Sequence, residues 1–251
     1  MPEVFGVPNE LDRPMERNTI PVWRRTFGSW QFSVSRNAMT TQELEQDYDL
    51  AASIWQKTIS KLGFERAYDQ LVRTGIESLL AKDPDNEFAV LDIGIGSGAM
   101  TAAFAGQVAQ PAKYFGVDLS GEMLNVARNR LRGIGIDADL TKSDADVLPY
   151  ADNSFDVVMA AHVFEHKVDP KHAIEEALRV LKPNGVLLAC ITKQSLMGAY
   201  IHLKWRTHRA SQDIALDWFR SAGADRVLVQ QFTANSWARG FSCGYIVRKP
   251  L

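Results

Sequence analysis

Two rhythms of apolar positions divide the chain. Beyond Thr40, Leu44, Tyr48, Ala51, Ala52, Trp55, Ile59 and Leu62 fall at the three-to-four spacing of one helix face. Thr40 and Glu43 stand three apart, as in a capping box, where each side chain satisfies the other's free backbone amide. Gly63 is a natural stop. A second helix follows, with Phe64, Ala67, Leu71, Ile76, Leu79 and Leu80 along one side, and "DPDNE" breaks it.

From residue 88 the rhythm changes. The short runs "FAVLDI", "KYFGVDL", "DVVMAAHV" and "GVLLACI" are continuously apolar and alternate with helical stretches such as "GEMLNVARNRLR" and "PKHAIEEALRVL". Strands without polar alternation are buried on both faces, which predicts a parallel sheet with helices on either side. Over 170–181, Ala173, Ile174, Ala177, Leu178 and Leu181 form the core stripe while Glu175, Glu176 and Arg179 face water. In the tail, the helix "SQDIALDWFRSAGA" precedes "RVLVQQF" and "GFSCGYIVRK", joined by "TANSWAR"; these two strands read as a hairpin closing the sheet. Residues 1–39 carry Pro2, Pro8, Pro14 and Pro21 and no sustained period. They read as an extended arm with Trp23 and Trp30 as buried anchors. The expected organisation is therefore an N-terminal arm or lid (1–39), a helical cap segment (40–84) and an α/β domain (85–251).

Composition narrows the class. With 46% hydrophobic and 23% charged residues, the 251-residue chain suits a soluble globular domain. A net charge of −2 gives no electrostatic reason to expect a nucleic-acid partner. No run approaches the roughly 20 apolar residues of a membrane span, and "MPEVFGVPNELDRP" is not patterned as a secretory signal. Residues 1–45 hold five Arg against six Asp or Glu, so they form no polybasic anchor. Cys190 and Cys243 cannot make a disulfide framework and stand in no metal-ligand spacing. The default location is cytoplasmic.

The candidate chemistry begins at "VLDIGIGSG", residues 90–98. A P-loop would need Lys-Ser or Lys-Thr after the last glycine, where Ala99-Met100 stands. The dinucleotide fingerprint G-x-G-x-x-G places its third glycine one step later. Here the order is Asp92, Gly94, Gly96, Gly98, and an acid before the loop suits a cationic ligand better than a pyrophosphate. As a tight strand-to-helix turn alone, the glycines would supply only backbone freedom.

"VLDIGIGSGAMT" resembles the first motif of the class I S-adenosylmethionine-dependent methyltransferases. "YFGVDLSGEMLNVAR", "KSDADVLPYADNSFDVVMAAHVFEH" and "ALRVLKPNGVLL" are similar to the later motifs of its small-molecule branch, the type 11 kind that includes the quinone-biosynthesis enzymes. The resemblance covers about residues 46–248. It implies a doubly wound, Rossmann-like, seven-stranded and mostly parallel sheet with a C-terminal antiparallel hairpin and helices on both faces. It further implies S-adenosyl-L-methionine as cofactor and transfer of a methyl group to an N, O or S nucleophile of a small molecule. Gly94, Gly96 and Gly98 would admit the methionine portion, and Asp92 would orient loop amides or the ligand's ammonium. Asp118 would accept both ribose hydroxyls, Leu119 and Met123 would flank the adenine, and Asp144 with Ala145 would read its amino edge. Ala161 would meet the methionine end, and Tyr48 would fold over the sulfonium.

The acceptor side is less defined. A phenol or hydroxyl acceptor needs a base, whereas an amine or thiolate needs mainly alignment. His162 and Tyr200 are the catalytic candidates, with His166 and His202 beside them. Glu165-His166 has the look of a ligand pair, but the pair is common in this branch without a metal, so none is expected. The acceptor pocket would be built from residues 1–60 and "TKQSLMGAYIHLKWRTHRA", whose Met197, Tyr200 and Trp205 mix with Lys204, Arg206, His208 and Arg209. The arm, with Trp23, Arg24, Arg25 and Trp30, fits a lid or a homodimer contact. Two other readings stay open: a non-catalytic, cofactor-binding regulatory protein, and phospholipid or protein acceptors.

Overall fold

The computed structural model describes residues 19–80, 87–195, 206–207, 210–224, 226–233 and 238–250. Strands β1 (Thr19–Phe27) and β2 (Trp30–Asn37) pair antiparallel as a separate two-stranded sheet. Helices α1 (Thr41–Lys61) and α2 (Phe64–Leu80) follow. The capping box at the start of α1 forms: the Thr40 amide donates to Glu43 Oε2 at 2.8 Å, and the Glu43 amide donates to Thr40 Oγ1 at 3.2 Å.

The remaining chain runs β3 (Phe88–Ile93), α3 (Ala99–Ala105), β4 (Ala112–Asp118), α4 (Gly121–Gly133), β5 (Ala138–Lys142), β6 (Phe155–Ala161), α5 (Pro170–Val180) and β7 (Leu181–Thr192). It ends with α6 (Gln212–Ser221), β8 (Val227–Gln230), α7 (Ala238–Phe241) and β9 (Ser242–Arg248). The seven strands stand in the order β5-β4-β3-β6-β7-β9-β8. β3 to β7 are parallel, and β9 pairs antiparallel with both β7 and β8. The closing hairpin expected from the tail is present, with α7 set into its connection.

The alternation hidden inside the continuous apolar runs appears as two cores. Leu91, Ile93, Val158, Ala160, Leu187 and Ala189 pack on one face with α5 and α6. Val90, Val157, Met159, Val186 and Leu188 pack on the other with α2 and α3. Each fully buried Leu, Ile or Val contributes about 1.5–3 kcal/mol relative to exposure, so both faces must be covered for these strands to exist.

The N-terminal segment differs from the expectation. Residues 19–37 form an antiparallel hairpin with a register shift between Pro21 and Trp23, not an extended arm, and Trp30 is 73% exposed and anchors nothing in the core. The period was there to read: in "WQFSVSRN" large apolar side chains alternate with small polar ones, the strand rhythm, and "GS" before it supplies the two-residue turn. Residues 2, 8 and 14 lie outside the described residues.

Candidate functional site

In an open parallel sheet, ligands bind at the carboxyl ends of the strands where the strand order reverses. Here that point lies between β4 on one side of β3 and β6 on the other. Beyond Ile93 the chain turns through Gly94, Gly96 and Gly98, all with positive φ (61°, 52° and 72°), before entering α3. Such a backbone costs a residue with Cβ about 1–2 kcal/mol. At Gly94 room is lacking as well, since a Cβ would stand 2.5 Å from Val163 Cγ2.

Two carboxylates brace this loop. Asp92 is buried at the end of β3, and its Oδ2 accepts from Thr101 Oγ1 at 2.7 Å, pinning α3. Burial pushes its carboxyl up to about 7, against the hydrogen bonds from Thr101, and the nearby Asp118 adds to the rise. Asp118 ends β4. Its Oδ2 accepts from the Gly96 amide at 2.8 Å and its Oδ1 from the Ser120 amide at 2.9 Å, so one side chain joins the glycine loop to the start of α4. Burial lifts Asp118 to about 6, opposed by the amides of Ser120, Gly96 and Leu119 and reinforced by Asp49. Ser120 caps α4 by accepting from the Met123 amide at 3.0 Å, and its hydroxyl is hydrogen-bonded to Asp49 of α1.

β6 delivers Ala161 and then His162, whose φ of 60° turns the chain sharply away from the sheet. His162 Nδ1 lies 2.9 Å from Thr192 Oγ1 and 3.2 Å from Glu165 Oε1, and Glu165 Oε1 also accepts from the Thr192 amide at 2.9 Å. The Glu165 carboxylate is completely buried. Burial opposes its charge, yet the bond and charge of His162 hold it down at about 2. His162 is the complement: burial works against its proton, but Cys190 and Glu165 raise it to about 10. The two form a buried ion pair, with the imidazolium on the cavity side. His166 Nε2 lies 3.0 Å from the Tyr48 hydroxyl, which α1 carries over the sheet edge.

These residues enclose two adjoining cavities. The larger, about 630 Å³ and open to solvent, is lined by Tyr48, Gly94, Gly96, Asp118, Leu119, Ala145, Ala161, His162 and His166, among others. The smaller, about 330 Å³, is lined by Tyr68, Asp92, Gly94, Gly96, Met100, Ala161 and His162, among others. Gly94, Gly96, Ala161 and His162 belong to both, so the two cavities meet at the glycine loop. Three expected residues stand back from either wall. Gly98 packs towards Leu131, Met123 is wholly buried under α4, and Asp144 pairs with Lys167. Tyr200, with Met197, His202, Lys204, Trp205, His208 and Arg209, lies outside the described residues. Arg206 is described, 3.7 Å from Glu43.

Sequence reasoning passed over Val163, Lys167 and Tyr68. The first two directly follow the strand end at Ala161-His162, where ligand contacts are expected in this fold. Tyr68 sits on the core face of α2 and carried no signal distinguishing it from a packing residue.

Comparison with known proteins agrees with this geometry. Residues 91–189 match the family model described as a methyltransferase domain. Over 159 residues the chain is 32% identical to the ubiquinone/menaquinone biosynthesis C-methyltransferase of Shewanella sediminis, covering 59% of this chain and 61% of that protein. Over 102 residues it is 38% identical to the Hahella chejuensis protein of the same name, covering 40% and 41%. Residues 91–189 of the chain thus match a methyltransferase domain. It spans less than two thirds of the length of these curated relatives. Among solved structures, the fold of the chain resembles that of the [4+2]-cyclase SpnF, with a TM-score of 0.68, 22% identity, and 85% of this chain and 98% of that one covered. It also resembles an S-adenosylmethionine-dependent methyltransferase from Thermotoga maritima, with a TM-score of 0.62, 20% identity, and 82% and 99% covered. At these identities the likeness is one of fold.

Proposed function

We propose that the chain transfers the methyl group of S-adenosylmethionine to a nitrogen, oxygen or sulfur nucleophile of a small molecule. The observation that carries this reading is one wall holding an acceptor carboxylate, a glycine-bared backbone and a charged histidine at the switch point of the sheet. The residues fit the cofactor group by group. Asp118 lines the larger cavity as a carboxylate acceptor, the chemistry that suits the hydroxyls of a ribose. Leu119 and Ala145 give apolar walls for a base. In the smaller cavity Asp92 suits an ammonium, and the His162 imidazolium suits a carboxylate. The cofactor supplies an electrophilic methyl on a sulfonium that leaves neutral.

The protein's own task is then to align, desolvate and where necessary deprotonate the acceptor. Alignment alone is worth on the order of 7 kcal/mol or more in model reactions. His162, held protonated by Cys190 and Glu165, is charged for anchoring an anion and is a poor proton acceptor near neutrality. Proton removal from a hydroxyl acceptor falls instead to His166, whose Nε2 shares a hydrogen bond with Tyr48 at the wall of the larger cavity. A second reading, transfer to an electron-rich carbon, is favoured by the relatives, whose names specify C-methyltransferases.

The test is calorimetric titration with S-adenosylmethionine and its demethylated product on the wild type and Asp118→Ala, followed by acceptor screens that detect released product. Binding lost in the variant and turnover with a nitrogen, oxygen or sulfur acceptor support the proposal. Turnover with carbon acceptors alone moves it to the second reading. Binding without any turnover across all acceptor classes leaves a cofactor-binding protein without transfer.

A further inference from the structure

The hairpin β1–β2 is amphipathic in a particular way. Trp30, Phe32 and Val34 alternate along β2 and are 73%, 52% and 55% exposed. Side chains two apart on a strand share a face, so these three make one apolar strip. Arg25 is exposed and pairs in register with Phe32, which places it on the same face. The turn is Gly28-Ser29, flanked by Phe27 and Trp30, and φ of 60° at Gly28 supplies the positive dihedral that a two-residue hairpin turn requires. Between Thr19 and Asn37 the ionisable side chains are Arg24, Arg25 and Arg36, with no Asp, Glu, Lys or His among them. The acids that balance residues 1–45 all fall outside the hairpin.

We infer that this hairpin face docks the protein on an anionic phospholipid surface. Tryptophan and phenylalanine settle at the boundary between headgroup and acyl chain, and each arginine close to an anionic leaflet contributes roughly fivefold in partition. The charge pattern decides between occupants. A second copy would set its own Arg25 against this one with no carboxylate from its hairpin, a like-charge pairing that an anionic bilayer turns into attraction. The anchor is peripheral: no helix among the described residues is long and apolar enough to cross a membrane.

The test is co-flotation of the full chain with vesicles of phosphatidylcholine alone and of phosphatidylcholine with phosphatidylglycerol, at low and high salt. The wild type is expected to float with the anionic vesicles and to be released by salt, since surface attraction is screened. The double variant Trp30→Ser, Phe32→Ser should lower the bound fraction by about tenfold, and Arg25→Glu should reduce the preference for anionic over neutral vesicles by more than about tenfold. Both alter residues of the hairpin alone, so thermal unfolding and cofactor affinity should stay at wild-type values. Failure to float, or equal flotation of wild type and both variants, overturns the inference. So does a dimer in sedimentation velocity that the Trp30→Ser, Phe32→Ser change converts to monomer, because the face would then join two copies.

Discussion

Replacing Glu165 by Gln tests the electrostatic arrangement of the site directly. The carboxylate is fully buried, touches His162 and the Thr192 amide, and sits at about 2 instead of its ordinary 4.5. At about 1.4 kcal/mol per tenfold change in proton affinity, that displacement is worth about 3 kcal/mol, in the range of 3–5 kcal/mol measured when one partner of a buried pair is removed. His162's rise to about 10 has Cys190 as its leading cause and Glu165 as the next; the Glu165 part is the same interaction seen from the other side and is not added to it. The signs follow. Glu165 is depressed in the folded state, so its contribution is present above about 4.5 and is lost as pH falls towards 2. His162 is raised, so its contribution is complete below about 6.5 and is lost as pH climbs through 10. In Glu165→Gln the imidazole loses its countercharge, burial dominates, and its pKa should fall. Urea unfolding of both proteins at pH 6, 8 and 10 should therefore give a stability gap of about 3 kcal/mol at pH 6 that narrows steadily towards pH 10. A gap below about 1 kcal/mol at pH 6, or one independent of pH, would refute the ion pair. His162→Asn, which keeps a residue tolerant of positive φ, should show little further loss when combined with Glu165→Gln.

Gly94→Ala should cost on the order of 3 kcal/mol or more in thermal or urea unfolding, because left-handed strain adds to the collision with Val163. Thr101→Val removes the hydroxyl donor of a buried carboxylate; it should destabilise the fold by about 1–3 kcal/mol and raise Asp92 further, which carbon-detected titration of that carboxyl would register. Asp92 and Asp118 sit at about 7 and about 6, so a cationic ligand binds best when both have lost their protons. Calorimetric affinity for S-adenosylmethionine should then rise on the order of tenfold between pH 6 and 8, and affinity for the demethylated product, which keeps the ammonium and the ribose, should rise with it. An affinity that is flat or falls with pH over this range would mean that these carboxylates do not face the ligand.

The α/β order could be read from the sequence because it rests on local rules: continuous runs for strands buried on both faces, striped helices, and a glycine turn after the first strand of the sheet. The closing hairpin and the capping box at Thr40 were legible for the same reason. The N-terminal hairpin was misread because the prolines of the arm outweighed an alternation only one strand long. Within the site, residues presented by the backbone at strand ends, such as Gly94, Asp118 and Ala161, could be placed by position alone. Charge states could not. His162 stands as a lone histidine in the sequence, and its proton depends on Cys190 on the neighbouring strand and Glu165 three residues on, a conjunction that exists only once β6 and β7 pair.

That conjunction also changes what the histidine can do. A strand-end histidine near its ordinary pKa would be the natural proton acceptor in this cavity. Paired with a buried carboxylate it becomes a fixed positive charge beside two acids, Asp92 and Asp118, which are themselves held close to neutral pH. Opposite charges set along one wall suit a ligand that is itself zwitterionic, and the acids' raised values allow that ligand's own cationic groups to draw their protons off as it binds. On the function proposed above, base chemistry moves from β6 to the Tyr48–His166 pair. That proposal gives binding of the cofactor and activation of the acceptor to different histidines four residues apart.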